Sequence, residues 1–266
     1  MTIRGAWDDW TPWLAERAGE LKTAIVFSTR LPLPRAAPIS GADSPQGLLA
    51  HAAWAFPIAG IVVGAIGAAV YALAHRAGLP AWPAAALTIA ATLAATGCLH
   101  EDGLADTADG FGGGKTREQK LEIMRDSRIG TYGVCALALS ILLRASALAS
   151  LADPALVAAA LIAAHGAARA TLPLFMFFVP PARSDGLAFA VGRPPEIRVA
   201  VAAVLGILIL IGGLGFMRGI EAVILLLIVI ALMARLSLKQ IGGQTGDVLG
   251  ALEQVSEIVI LLVALR

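Results

Sequence analysis

The chain has 266 residues, 58% of them hydrophobic and 15% charged, with a formal net charge of +1. Soluble domains carry about a quarter charged residues, so a mean hydropathy of +0.79 excludes an ordinary soluble enzyme and makes lipid the main solvent. The near balance of 20 basic and 19 acidic residues supplies no basic field for nucleic acid, so information about partners must lie in local charge placement. Cys98 and Cys135 sit in apolar runs without C-x-x-C spacing, which fits buried small residues rather than a disulfide or a metal site.

From the N-terminus, Asp8, Asp9, Glu16 and Glu20 interrupt any apolar core, so the first spanning helix is expected to act as its own insertion signal. Trp7, Trp10 and Trp13 recur every three residues, the pattern of a short helix in the headgroup layer or of a frayed tail. Apolar runs follow at 54–75, 79–99, 133–152, 155–179, 199–217, 220–234 and 252–265. Most are close to the ~20 residues that cross a bilayer. The expected fold is an all-α polytopic bundle of six or seven spans in one integral-membrane domain, 1–266, with residues 1–53 as a cytoplasmic or interfacial segment.

Lys and Arg distribute asymmetrically between connections. Alternate ones (the N-terminal segment, 100–132, 180–198 and 235–251) hold five, five, three and two, while those between hold one, none and one. The positive-inside bias then places the N-terminus and every long polar connection in the cytoplasm.

Seven of the 19 acidic residues fall between His100 and Tyr132. Asp102, Asp106 and Asp109 are spaced i, i+4, i+7, so on a helix continuing the second span their carboxylates share one face. Such a stripe repels itself unless a cation sits within it, and Mg²⁺ or Mn²⁺ shared with substrate phosphate oxygens resolves the repulsion. Gly110, Gly112, Gly113 and Gly114 suggest a loop whose backbone N–H groups approach a phosphate, or a plain linker. The loop is not G-x-x-x-x-G-K-[ST], whose first glycine would fall on Asp109. Thr116 and Gln119 form a capping box for a helix from Arg117 to about Ser127. With Lys115, its Arg125 and the nearby Arg128 are candidate pyrophosphate ligands.

A second polar constellation, 235–251, contains Gly242, Gly243, Gln244, Thr245, Gly246 and Asp247. Thr245 or Asp247 is the expected cap of the last span. Glu253, Glu257, Arg144, His165 and Arg169 lie inside spans, where ionisable groups face a cavity or one another: Glu253 and Glu257 are candidates for a site wall, and the arginines can pair with Glu257 or an aspartate.

H-x-D-G-L-A-D-T-A-D-G, then L-E-I-M-R-D-S-R-I-G-T-Y-G and G-G-Q-T-G-D-V-L-G-A, resemble the membrane-bound cobalamin synthase family of adenosylcobinamide-GDP ribazoletransferases. F-S-T-R-L-P and W-A-F-P-I-A-G near the N-terminus extend the likeness over nearly the whole chain. Glu101 departs from it, since an apolar residue such as Leu is common there. The resemblance implies a Mg²⁺-dependent enzyme of the bacterial inner membrane, in which the 5'-hydroxyl of α-ribazole, or of its 5'-phosphate, attacks adenosylcobinamide-GDP and releases GMP. On that reading Asp102, Asp106 and Asp109 hold metal, and Lys115, Arg125 and Arg128 bind phosphate charge. His100 or Asp126 takes the hydroxyl proton, while Gln244, Thr245 and Asp247 complete the site. Membrane lipid is the expected surrounding.

Two rivals are weaker. A CDP-alcohol phosphotransferase shows D-G-x2-A-R-x8-G-x3-D-x3-D, but Asp106 stands where its Arg should be, and no D-x3-D follows in register. A cation transporter would carry acidic pairs at mid-span.

Overall fold

The computed structural model describes residues 11–34 and 45–266. Trp7 and Trp10 lie outside them, while Trp13 opens α1 (Thr11–Ser28). The further helices are α2 (Pro45–Ala52), α3 (Phe56–Arg76), α4 (Ala81–Thr96), α5 (Leu99–Gly113), α6 (Arg117–Ile123), α7 (Thr131–Leu151), α8 (Pro154–Phe178), α9 (Leu187–Val191), α10 (Glu196–Leu214), α11 (Phe216–Ile241) and α12 (Gly246–Ala264). No strand occurs among the described residues.

Among the described residues five helices are long and apolar enough to cross a membrane, and a sixth span results if the bent pair α4 and α5 counts as one. α12 carries Asp247, Glu253 and Glu257, and these acids keep it outside that set. The protein is a multi-pass helical bundle.

The centre of the bundle is α8. Asp153 caps it by accepting from Ala155 N and Leu156 N at 2.9 Å, and Pro154 occupies the first turn, where its missing N–H costs nothing. Within the membrane the hydrophobic effect does not drive helices together, so close packing has to. Gly60 and Gly64 provide it by bringing α3 onto α8. A β-carbon on Gly60 would collide with the His165 carbonyl, and one on Gly64 would lie 2.6 Å from that of Leu161. Of the apolar stretch of α8, 72% is buried within the protein, against 22% for α10 and 17% for α11. The Leu and Ile side chains exposed on those two outer helices are therefore the lipid-facing surface.

One end of the bundle is all tight turns. Residues 77–80 join α3 to α4, Ala152 and Asp153 join α7 to α8, and Gly215 joins α10 to α11. Tyr71 Oη donates to the Ala152 carbonyl at 3.3 Å, and Arg266 pairs with Glu221, which gathers these turns on one side. The other end carries α1, α2, α5, α6 and the 180–198 connection.

The sequence suggested that the second span runs straight on through the acidic stripe. Instead α4 and α5 meet at 91°. Gly97 (φ 65°) and Cys98 (φ 59°) are both left-handed, which turns the chain sharply; the second is costly for a residue with a side chain. Arg30 N donates to the Ala95 carbonyl at 2.7 Å, tying the segment after α1 to the bend.

Candidate active site at the polar end of the bundle

The acidic stripe is helical as its spacing requires: His100, Asp102, Asp106 and Asp109 all belong to α5. The glycines after it are not the loop the sequence suggested, because Gly110, Gly112 and Gly113 are still within α5. Their role is close approach: a β-carbon on Gly112 would lie 2.6 Å from the Tyr132 ring, and one on Gly110 would be 3.0 Å from the Lys120 carbonyl. The capping box of Thr116 and Gln119 forms as expected, but its helix ends at Ile123, short of Ser127.

α5 meets α12 through glycine as well. A β-carbon on Gly103 would lie 2.8 Å from the Asp247 carbonyl oxygen, and one on Gly250 would lie 3.0 Å from that of His100. The two motifs, some 140 residues apart in the sequence, are thereby in contact. Thr245, not Asp247, caps α12, accepting from Val248 N at 3.3 Å. Asp247 sits in the first turn, with one carboxylate oxygen 3.1 Å from the Thr245 hydroxyl.

These contacts frame a cavity of about 180 Å³, lined by the polar His100, Asp102, Arg183 and Asp247 from α5, the 180–198 connection and α12, and by the apolar Phe27, Phe56, Leu172 and Met176 from α1, α3 and α8. Asp106 adjoins it and feels the charges of Asp102, Asp247 and Asp109. Neither Asp102 nor Asp106 has an ion-pair partner among the described residues. Asp109 differs from them: its two oxygens accept Gly130 N at 2.7 Å and Gly133 N at 2.9 Å, capping α7 from a neighbouring helix.

Arg183 went unnoticed in the sequence. It lies in an irregular connection with no motif around it, and what brings it to the site is a pair of backbone bonds. Gln244 N donates to the Pro180 carbonyl and Ala182 N to the Gln244 carbonyl, both at 2.8 Å. Gly243 permits this clasp, since a β-carbon there would lie 2.8 Å from Ala182 N. One guanidinium nitrogen of Arg183 is then 3.9 Å from Asp247 Oδ2, and another has no hydrogen-bond partner.

The other suggested phosphate ligands lie apart from the cavity. Arg125 is engaged by Asp185 at 2.7 Å, Arg128 pairs with its neighbour Asp126 at 2.5 Å, and Lys115 is exposed in the turn after α5. Hydrogen bonds from Arg128 hold the Asp126 carboxyl down at about 2. Gln244 is buried but lines a different depression, beside Arg193 and Phe177.

Behind the cavity is a buried ionic network. Arg144 Nη1 lies 3.1 Å from Glu101 and 3.3 Å from Glu257, and Arg169 Nη1 is 2.6 Å from Glu253. His165 Nδ1 reaches Glu257 at 3.2 Å. Glu101 is thereby a buried partner of Arg144. Glu253 and Glu257 do not line the cavity but support it from behind. His165, Glu253 and Glu257 bring possible ligand atoms within 4.8 Å of one another, but two guanidinium groups already occupy the place a cation would take. His100 joins network to cavity: its Nδ1 is 3.4 Å from Arg169 Nη2 and 3.6 Å from Glu253 Oε2.

Fold and site together define a polytopic helical membrane protein with a carboxylate-lined cavity at one end. The cobalamin-5-phosphate synthase family matches residues 20–265, and the chain belongs to that family. It is 56% identical over 245 residues to a protein of Bradyrhizobium diazoefficiens, covering 92% of each chain. A protein of Mesorhizobium japonicum is 54% identical over 247 residues, again covering 92% of each. A third, from Azorhizobium caulinodans, is 45% identical over 249 residues, covering 91% of this chain and 94% of its own. All three are called adenosylcobinamide-GDP ribazoletransferase. No solved structure matches the chain.

Proposed function

We propose that this protein joins adenosylcobinamide-GDP to α-ribazole, or to its 5'-phosphate, with release of GMP. The observation that carries the proposal is the meeting of Asp102 and Asp247, one from each long family motif, with Arg183 on a single cavity. The two rival readings find no support in the family match.

Asp102, Asp106 and Asp247 are the residues that would hold Mg²⁺, or Mn²⁺. The fit rests on their chemistry: hard oxygen donors, mutually repelling, two of them without a cationic partner. Bound there, the ion would neutralise pyrophosphate charge and polarise the phosphorus under attack. Asp109 takes a supporting place, fixing the start of α7 against α5. Arg183 directs its free N–H toward a phosphate oxygen. The ribose 5'-oxygen attacks the phosphorus nearer the corrinoid, the bond to the GMP phosphate breaks, and the hydroxyl proton passes to His100. Of the two bases the sequence offered, only His100 lines the cavity. The basic connections favour a cytoplasmic site and N-terminus in the bacterial inner membrane.

The experiment is GMP release by the detergent-purified protein, given both substrates, with and without Mg²⁺, and with the corrinoid product as second readout. GMP and product appearing together only with metal supports the proposal. CMP release from a CDP-alcohol in their place overturns it.

A further inference from the structure

We infer that the apolar half of the cavity is the subsite for the base of the nucleoside acceptor, a flat bicyclic aromatic ring, rather than for guanine or the corrin macrocycle. This rests on the transferase reading above. Three observations support it.

The cavity's about 180 Å³ falls below the roughly 300 Å³ at which pockets for drug-sized ligands begin. It therefore accepts a fragment of a substrate, and a corrin ring has to stay outside. The walls are aromatic, aliphatic and thioether: Phe56, Leu172 and Met176 are buried, with Phe27 stacked on Phe56 at 6.0 Å between ring centroids and 20° between planes. Such walls bind a ring through its faces and edges, and methionine sulfur favours aromatic contact. They offer nothing to a guanine, whose pairing edge would be stripped of water and left without partners. A benzimidazole carries no such edge.

The polar and the aromatic or thioether groups come from different elements. Asp102, Asp247 and Arg183 belong to α5, α12 and the 180–198 connection, while Phe27, Phe56, Leu172 and Met176 belong to α1, α3 and α8, so a base held by the second set presents its ribose to the carboxylates and to His100. The order base, ribose, attacking oxygen, phosphorus runs from the apolar to the polar groups, the sequence the transfer needs.

The test fills the subsite from two helices separately, with Met176→Trp on α8 and Leu249→Phe on α12, whose side chains both line the cavity. GMP release is measured against each substrate in turn. The expected result is a KM for α-ribazole raised about tenfold or more while that for adenosylcobinamide-GDP stays within about twofold. In both variants an imidazole riboside, with its single ring, should gain ground on α-ribazole as acceptor. If Met176→Trp does not fold, Leu249→Phe decides alone. An unchanged KM for α-ribazole, or an equal rise for both substrates, overturns the inference. A wild-type protein that releases no GMP overturns the transferase reading instead. The subsite is then decided by equilibrium dialysis with labelled α-ribazole: saturable binding lost in Met176→Trp supports it, and no saturable binding to the wild type ends it.

Discussion

Gly103 and Gly250 face each other where α5 crosses α12: a β-carbon on either would lie 3.2 Å from the α-carbon of the other. This crossing sets the separation of Asp102 from Asp247. Gly103→Ala must also displace the Asp247 backbone, whose carbonyl oxygen would be only 2.8 Å from the new carbon. A misplacement of about 1 Å costs up to about 10²-fold in rate, so a loss of that order in GMP release is expected. Gly212→Ala, which meets nothing within 4 Å, should keep full activity.

The aspartates of the stripe should separate into two kinds. Asp102→Asn is expected to abolish turnover while leaving the thermal midpoint in detergent unchanged or higher, because it relieves like-charge repulsion. Asp109→Ala removes the cap on α7 and should lower stability by about 1 kcal/mol. Chelation of divalent metal by EDTA should stop GMP release, and added Mg²⁺ should restore it. Full activity in the presence of chelator would remove the metal from the proposal.

Arg144 is 2% exposed between Glu101 and Glu257. Arg144→Met leaves Glu101 buried without a partner and Glu257 with His165 alone, a loss of about 3–5 kcal/mol. Thermal unfolding in detergent should show it as a large drop in midpoint, and adding Glu257→Gln should recover part. An Arg144→Met protein as stable as the wild type would mean that the network carries no such energy.

Substitution distinguishes the two candidate bases. His100→Gln, which alters the one that lines the cavity, is expected to lose most of the rate of GMP release, whereas Asp126→Asn, at a partly exposed carboxylate already paired with Arg128, should keep it. Full activity in His100→Gln would remove that residue as the base.

Much of this was readable in the residues. The apolar runs marked the helices, and the i, i+4, i+7 spacing put the aspartates on one helix. The T-x-x-Q pattern gave the capping box. What escaped is decided by contacts between distant segments. The glycines after Asp109 look like a loop because glycine disfavours helix, yet packing against Tyr132 and α6 keeps them helical. Arg183 depends on a backbone clasp with Gln244 that leaves no side-chain pattern. Asp109 resembles its neighbours in spacing and differs only in what stands opposite it, Gly130 and Gly133. Arg125 and Arg128 looked like phosphate ligands by sequence proximity, but nearby carboxylates claim them first.

The three short turns at the far end of the bundle limit how the protein can meet other molecules. Ala152 (φ 54°) and Gly215 (φ 81°) make reversals of one or two residues, so among the described residues only helix ends and short connections project on that side, with side chains such as Met217 and Arg266. A protease or antibody directed at that end meets those alone. The cavity lies at the other end of the bundle, so a molecule held at the turns sits the length of a spanning helix away from it.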